Sequence, residues 1–309
     1  MSDTSTPPAP TTSLAAPAAA VTVDELPPVE KKSSLGVGAW LSIGWLTLIS
    51  VASVLAPLFL TDPLEADPLK SRTGPEGMAL LGYDELGRDL FSRMVNGAKW
   101  TLLIAVGAVA IGVLVGGLLG LIAGYFRGRI DAVLSPSFNI LLAFPQLVLA
   151  LLLVSVFANG AQDSVGKRVF VLIIALGIIA IPLLARITRA NTLAWAERDF
   201  VMAAKAMGAK PGRVLFRDVL PNVLPAMMAI TLLAVGIAIV AEAGLAFLDL
   251  GVKLPTPSWG NIMAQGKKEL RRVPMMVIAP TIFIFLTVMS LNYLGDVIQK
   301  RFNVRESLL

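Results

Sequence analysis

The chain has 309 residues, 56% of them hydrophobic and 15% charged, with a formal net charge of +5. A soluble globular chain carries about 25% charged residues, so this balance points to lipid. Histidine and cysteine are both absent, which excludes imidazole and thiolate catalysis, disulfides and zinc sites with nitrogen or sulfur ligands, and the basic residues, scattered between apolar spans, make no case for nucleic acid.

Residues 1–38 are rich in Pro, Ala, Ser and Thr without hydrophobic period, and read as a disordered tail. No basic stretch precedes an apolar one there, so the tail does not read as a signal peptide. A helix needs about 20 mostly apolar residues to cross the hydrocarbon. Runs of that kind occur at Trp40–Leu60, Trp100–Phe126, Ala132–Gln162, Val169–Ala185, Val219–Ala241 and Val273–Gly295. They predict an all-α polytopic membrane protein with six transmembrane helices, the first at 39–60 and the rest within 100–309. The third run is read as one tilted helix plus a loop. The fourth is short, with Arg168 and Arg186 snorkelling from its ends.

Gly112, Gly116, Gly120 and Gly124 recur every fourth residue of the second span. They place a glycine stripe on one face, for close helix packing or for a substrate path. Pro136, Pro145, Pro182 and Pro280 interrupt later spans, where neighbouring helices satisfy the freed carbonyls.

Between the first two spans lies the 61–99 loop. Its end, ELGRDLFSRMVNGAKW, puts Leu90, Phe91, Met94 and Val95 on one face and predicts a short interfacial helix. Arg88 and Asp89 are either a capping pair or a partner contact. The 248–272 loop, LGVKLPTPSWGNIMAQGKKELRR, starts with turns and continues as a polar piece that dips back toward the membrane. With both termini cytoplasmic, the inner segments carry 14 Lys and Arg against 12 outside, seven of them in residues 186–217. The positive-inside rule favours that orientation. Asp296 is expected to pair with Lys300 four residues on.

Glu242 ends the fifth span in an apolar context. An ionisable group there is a functional candidate. It either faces a translocation path, or pairs with a residue such as Arg272, or accepts hydrogen bonds from loop amides.

The cytoplasmic loop at 188–220 contains FVMAAKAMGAKPGRVLFRDVLPN. Ala203 to Met207 form a helix that Gly208 and Pro211-Gly212 end. A helix faced with alanine can fit a groove on another protein while Arg198, Lys205, Lys210, Arg213 and Arg217 meet acidic residues. A basic loop solvated at an anionic membrane surface is the other reading.

The order Ala203-Ala204, Gly208, then Asp218-Val219-Leu220-Pro221 resembles the EAA loop of ABC importer membrane subunits. Met202 stands where that loop usually has an acidic residue, and Asp218 where it has an aliphatic one. LGYDELGRDLFSRMVNGAKWTLL, GYFRGRIDAVL, LLAFPQLVLALLL, EAGLAFLDLGVKLPTPSWGNIMAQGKKEL and LNYLGDVIQKRFNVR are also similar, in order, to the C-type permease of dipeptide, oligopeptide and nickel importers. The likeness covers residues 36–309.

The resemblance implies half of a translocation pathway for di- or oligopeptides. It implies a second, B-type permease subunit, two ABC ATPases and an extracytoplasmic substrate-binding lipoprotein as partners. Nickel and glutathione are the alternative substrates. It also implies a coupling helix that docks on the ATPase, carried onto Ala203, Ala204, Lys205, Gly208, Ala209, Arg213, Leu220 and Pro221. ATP and Mg would then sit on the partners, with no cofactor or metal on this chain. The residues agree: GAQDSVGKR has five residues between its glycines and no Ser or Thr after Lys, and QGKKEL lacks the first glycine, so neither is a phosphate-binding loop. An ion-coupled secondary transporter would need internal repeats and midmembrane charges, and a membrane-embedded enzyme a catalytic constellation. The sequence shows no evident repeat, hardly any charge within its spans and no such constellation.

Overall fold

The computed structural model describes residues 36–77, 79–158 and 164–306, with side chains to residue 302. The tail expected at 1–38 lies outside these residues except for its last three. Among the described residues the chain is helical, with two isolated β-bridges and no strand.

Five helices are long and apolar enough to cross a membrane: α1 (Val37–Phe59), α2 (Leu90–Phe126), α5 (Val165–Ala196), α7 (Pro211–Phe247) and α9 (Met275–Glu306). Between α2 and α5, α3 (Gly128–Ala143) and α4 (Gln146–Phe157) form a pair bent by 87°, which makes six spans when the pair is counted as one. Backbone polar groups have no water in hydrocarbon, so each span keeps them paired along its own axis. Two shorter α-helices, α6 (Asp199–Ala206) and α8 (Trp259–Glu269), and a single 3-10 turn at Pro68–Lys70 complete the described residues.

Three expectations change. The run at 132–162 holds two helices and a turn, not one tilted helix. Pro145 disfavours helical backbone at the residue before it, and Phe144 is extended at φ −74°, ψ 138°. Residues 90–96 are not a separate interfacial helix but the first turns of α2. Gly97 alone does not break a helix, and Leu90 and Met94 are fully buried. Arg168 does not snorkel either. It is buried and donates to the carbonyls of Gly251 and Ala158.

The glycine stripe is a packing surface between α2 and α5. A Cβ at Gly116 or Gly120 would collide with the carbonyl oxygens of Ile181 and Ala185, and one at Gly124 would lie 2.7 Å from Thr192 Cβ. The helix widens into a π-turn at Gly112–Gly117 along this contact. α9 packs between α1 and α7. Trp45 Nε1 of α1 donates to Thr287 Oγ1 of α9 at 3.1 Å.

Three apolar clusters follow. One surrounds Trp259, with Leu90, Met94, Ile239 and Met276. A second joins α4, α5 and α7 around Leu172 and Leu245. The third lies at the end of the molecule that carries α6.

Candidate functional site

The nine candidate residues fall into two places. Eight lie around α6 and the start of α7. Glu242 lies 29 residues beyond Arg213 on the same helix, roughly 44 Å along its axis at 1.5 Å per residue. They do not form one site.

α6 begins after Arg198 and ends at a glycine in a left-handed turn. Gly208 has φ +81° and its N–H donates to the Lys205 carbonyl at 3.0 Å, while Ala209 N–H reaches the Ala204 carbonyl at 3.1 Å. Those two bonds are the Schellman closure, which needs positive φ at its first residue and an apolar contact across the end. Ala204 and Ala209 supply that contact, half-buried against the third cluster. So Gly208, Ala204 and Ala209 shape the helix end. Nothing lies within 4 Å of a Cβ built at Gly208, so backbone conformation and not space demands glycine there.

The buried face of α6 is Val201, packed with Leu121 and Tyr125 of α2 and Val214, Leu215 and Val219 of α7. Lys205 Nζ sits 5.0 Å from the centre of the Tyr125 ring, a cation–π contact. At about 100° per residue, the opposite face carries Met202, Ala203, Ala206 and Met207. All four are exposed, Met207 by 82%. The result is a floor of alanines flanked by two methionines. Arg213 and Pro221 are exposed on α7, and Leu220 is half-buried. Pro221 has no N–H for the carbonyl four residues back. The helix passes through a π-turn at Val214–Val219 just before it, and Asn222 Nδ2 donates to the Asp218 carbonyl at 2.6 Å.

Glu242 is fully buried. Its carboxylate accepts from Ser258 Oγ at 3.1 Å and Thr101 Oγ1 at 3.4 Å. Thr101 Oγ1 accepts from Trp259 N–H at 3.1 Å, and Trp259 Nε1 donates to the Met94 carbonyl at 3.0 Å. Ser258 also caps α8 in a capping box with Asn261. Glu242 thus ties together α7, α2 and the start of α8, and its partners are hydroxyls, not Arg272. Gly97 and Gly260 let the backbones meet: a Cβ at Gly260 would be 2.8 Å from Ala243 Cα, and one at Gly97 3.3 Å from Ser258 Cα. An apolar cavity of about 230 Å³ lies nearby, walled by Gln146 and Ala150 of α4, Ile179 of α5 and Ala238 and Ala241 of α7. Glu242 does not line it.

Sequence reasoning missed Thr101, Ser258 and Trp259. Their signal was the S-x-x-N capping spacing at Ser258–Asn261; nothing local marks Thr101. It also missed Asp84, a fully buried carboxylate that accepts from Arg88 Nε at 2.7 Å and faces Arg93 Nη1 at 3.1 Å. Arg88 pairs with Asp84, and Asp89 caps α2 by accepting from Phe91 N–H at 2.9 Å. Arg88 Nη2 reaches Gln265 Oε1 of α8 at 3.0 Å. At the other end Arg189 of α5 grips Asp131 of α3 through two nitrogens, one at 2.6 Å. Among the described residues no ion pair joins Asp296 to Lys300.

Residues 116–307 match the family described as binding-protein-dependent transport system inner membrane component. The chain belongs to this family. The matched stretch of this inner membrane component contains all nine candidate residues. A dipeptide transport system permease protein of Alkalihalophilus pseudofirmus is 34% identical over 267 residues, covering 86% of this chain and 84% of the relative. A di/tripeptide transport system permease protein of Pseudomonas aeruginosa is 37% identical over 223 residues, 72% of this chain and 71% of the relative. A glutathione transport system permease protein of Escherichia coli is 34% identical, covering 86% and 85%. Among solved structures, the methionine ABC transporter in inward facing conformations matches with TM-score 0.55 at 19% identity, over 69% of this chain and 97% of that one. That likeness shows the fold. The inner membrane component is therefore a multi-pass membrane subunit of an ABC importer.

Proposed function

We propose that this subunit forms half of the translocation pathway for di- or oligopeptides, driven by ATP hydrolysed on partner ATPases. A B-type permease subunit supplies the other half, two ABC ATPases dock from the cytoplasm, and a substrate-binding lipoprotein delivers peptide outside. ATP and Mg belong to the ATPases. Both termini are cytoplasmic in this arrangement, on the side where the 186–217 segment concentrates seven basic residues.

The observation that carries the reading is α6. One face is buried on the ends of α2 and α7, and the other presents exposed Ala203 and Ala206 between Met202 and Met207. A groove on an ATPase can close on that alanine floor. Methionine at 202 makes the contact apolar where an acidic residue would have made it ionic. α2 and α7 are continuous for 37 residues each, and meet again at the Thr101–Glu242–Ser258 knot. ATPase closure against α6 would therefore rock α2 and α7 as levers, a rigid-body form of alternating access. Glu242 serves in this reading as the far joint of the levers.

The test is Ala203→Trp with Ala206→Trp in the reconstituted complex. Peptide uptake should fall to background while the variant subunit still folds and inserts. Unchanged uptake with unchanged ATPase stimulation would refute the docking role. Glutathione is the second substrate, favoured by the glutathione permease relative. Stimulation of ATP hydrolysis by dipeptide or by glutathione, each with its binding protein, separates the two.

A further inference from the structure

The stretch LGYDELGRDLFSRM buries four charged side chains that the docking of α6 does not use: Asp84, Arg88, Asp89 and Arg93. Asp89 is satisfied by Thr61 Oγ1 at 3.1 Å and by Phe91 N–H. Two guanidiniums therefore converge on the carboxylate of Asp84. Arg88 is well engaged: Nε donates to Asp84 Oδ2 at 2.7 Å and Nη2 to Gln265 Oε1 at 3.0 Å. Arg93, fully buried, is not. Its Nη1 stands 3.1 Å from Asp84 Oδ2 without the alignment of a hydrogen bond, and its Nη2 is 3.5 Å from Gln265 Oε1. Its Nε meets no acceptor among the described residues.

A buried guanidinium with unmade bonds is costly, and such groups mark strained or functional positions. The partners belong to different bodies. Asp84 and Arg88 share one tight turn, in which Asp84 N–H donates to the Arg88 carbonyl and Asp84 Oδ1 accepts from the N–H groups of Leu86 and Arg88. Gln265 belongs to α8, which Arg72 of the same loop grips through Glu269. Only Arg93 belongs to α2. An approach of about 0.5 Å would bring its Nη2 to the usual hydrogen-bond length from Gln265, and helix shifts of about 1–2 Å accompany switching in proteins.

We infer that Arg93 is a positioning residue of the transport cycle, a half-made bond between α2 and the platform of the 61–89 loop and α8. When α2 moves, Arg93 closes on Asp84 and Gln265 and fixes that platform to the helix. In the present conformation the two acceptors are held by Arg88, so the platform keeps its shape while α2 is only loosely tied to it. The inference rests on α2 acting as a lever of the ATPases.

Electron cryomicroscopy of the assembled complex, nucleotide-free and trapped with ATP and vanadate, tests this. Arg93 should keep its long contacts without nucleotide and donate to Asp84 and Gln265 at about 3 Å in the trapped state. Identical Arg93 contacts in both states would overturn the inference. Arg93→Met keeps the bulk and leaves the Asp84–Arg88 pair neutral, so the nucleotide-free Tm should hold or rise. The ratio of trapped to untrapped complex should fall about tenfold, the worth of one charge-assisted hydrogen bond. Arg93→Lys should recover part of that ratio. An Arg93→Met chain that loses Tm or fails to fold would show that Arg93 already stabilises the present conformation, and would overturn the inference, as would unchanged trapping. Loss of uptake in the α6 tryptophan variant, with Arg93 contacts that ignore nucleotide in the wild type, would sink this inference alone. Normal uptake in that variant would sink the lever reading.

Discussion

Glu242 shows how one carboxylate can organise three helices. Its two hydroxyl donors come from α2 and from the residue that caps α8, so its removal empties a buried volume and strands both. Glu242→Ala should cost about 2–4 kcal/mol, from cavity formation and lost hydrogen bonds together, visible as a lower Tm in detergent. Glu242→Gln keeps the shape and one acceptor, and should lose much less. Transport that survives in the Gln variant would place the residue in the framework; transport lost at unchanged Tm would place it on the peptide path. Gly208 is another single-residue decision. Its positive φ closes α6, which its place just after an alanine-rich helix already announced.

At the scale of elements, the contact of α2 with α5 is limited by backbone. Gly116 and Gly120 lie where α5 carbonyls leave no room for a side chain. Gly120→Leu should therefore separate the helices and reduce the yield of folded protein sharply, since overpacking alone costs 1–3 kcal/mol or more. Gly44→Ala on α1, where nothing lies within 4 Å, should stay within about 0.5 kcal/mol of the parent. Equal expression and Tm for the two variants would mean that the helices can shift apart freely. The four-residue glycine spacing was legible in the chain, and so was its preference for packing. That α5 was the partner was not, because the spacing describes one helix face and says nothing of what lies opposite.

On the scale of the whole molecule, the 61–89 loop and α8 are held as one platform. Arg72 grips Glu269 at 2.8 and 2.9 Å, and Arg88 reaches Gln265. The Arg72 guanidinium holds the Glu269 carboxyl below its ordinary value, and the carboxylate raises Arg72 in turn. A depressed carboxyl contributes fully above its unfolded value of about 4.3 and loses that contribution as pH falls through the lowered one. Protease accessibility of the 61–89 loop should therefore rise below about pH 4, near that reference value. Arg72→Ala should raise it at neutral pH and abolish the acid dependence. An unchanged acid profile in the variant would remove the pair from this role. Because Arg72 is partly exposed, the clamp should also weaken with salt.

Hydrophobic runs by themselves predicted a helical membrane protein with six spans, because hydrocarbon admits no unpaired backbone and sets the length of a crossing; the structure gives five such helices, and six with the bent pair counted as one. Local chemistry likewise determined the closure of α6 at Gly208 and, through the order of its motifs, the likeness to importer permeases. Boundaries were less legible: polar residues in 90–99 and 186–196 hid the continuation of α2 and α5, since helices extend past the membrane wherever other protein covers them. Only the tertiary structure decided the bend at Pro145, the burial of Arg168 and Asp84, and the partners of Glu242. Thr101 and Ser258 stand 141 and 16 residues from that carboxylate. A hydrogen bond between such distant positions depends on the folded packing of α2, α7 and α8, which no local spacing records.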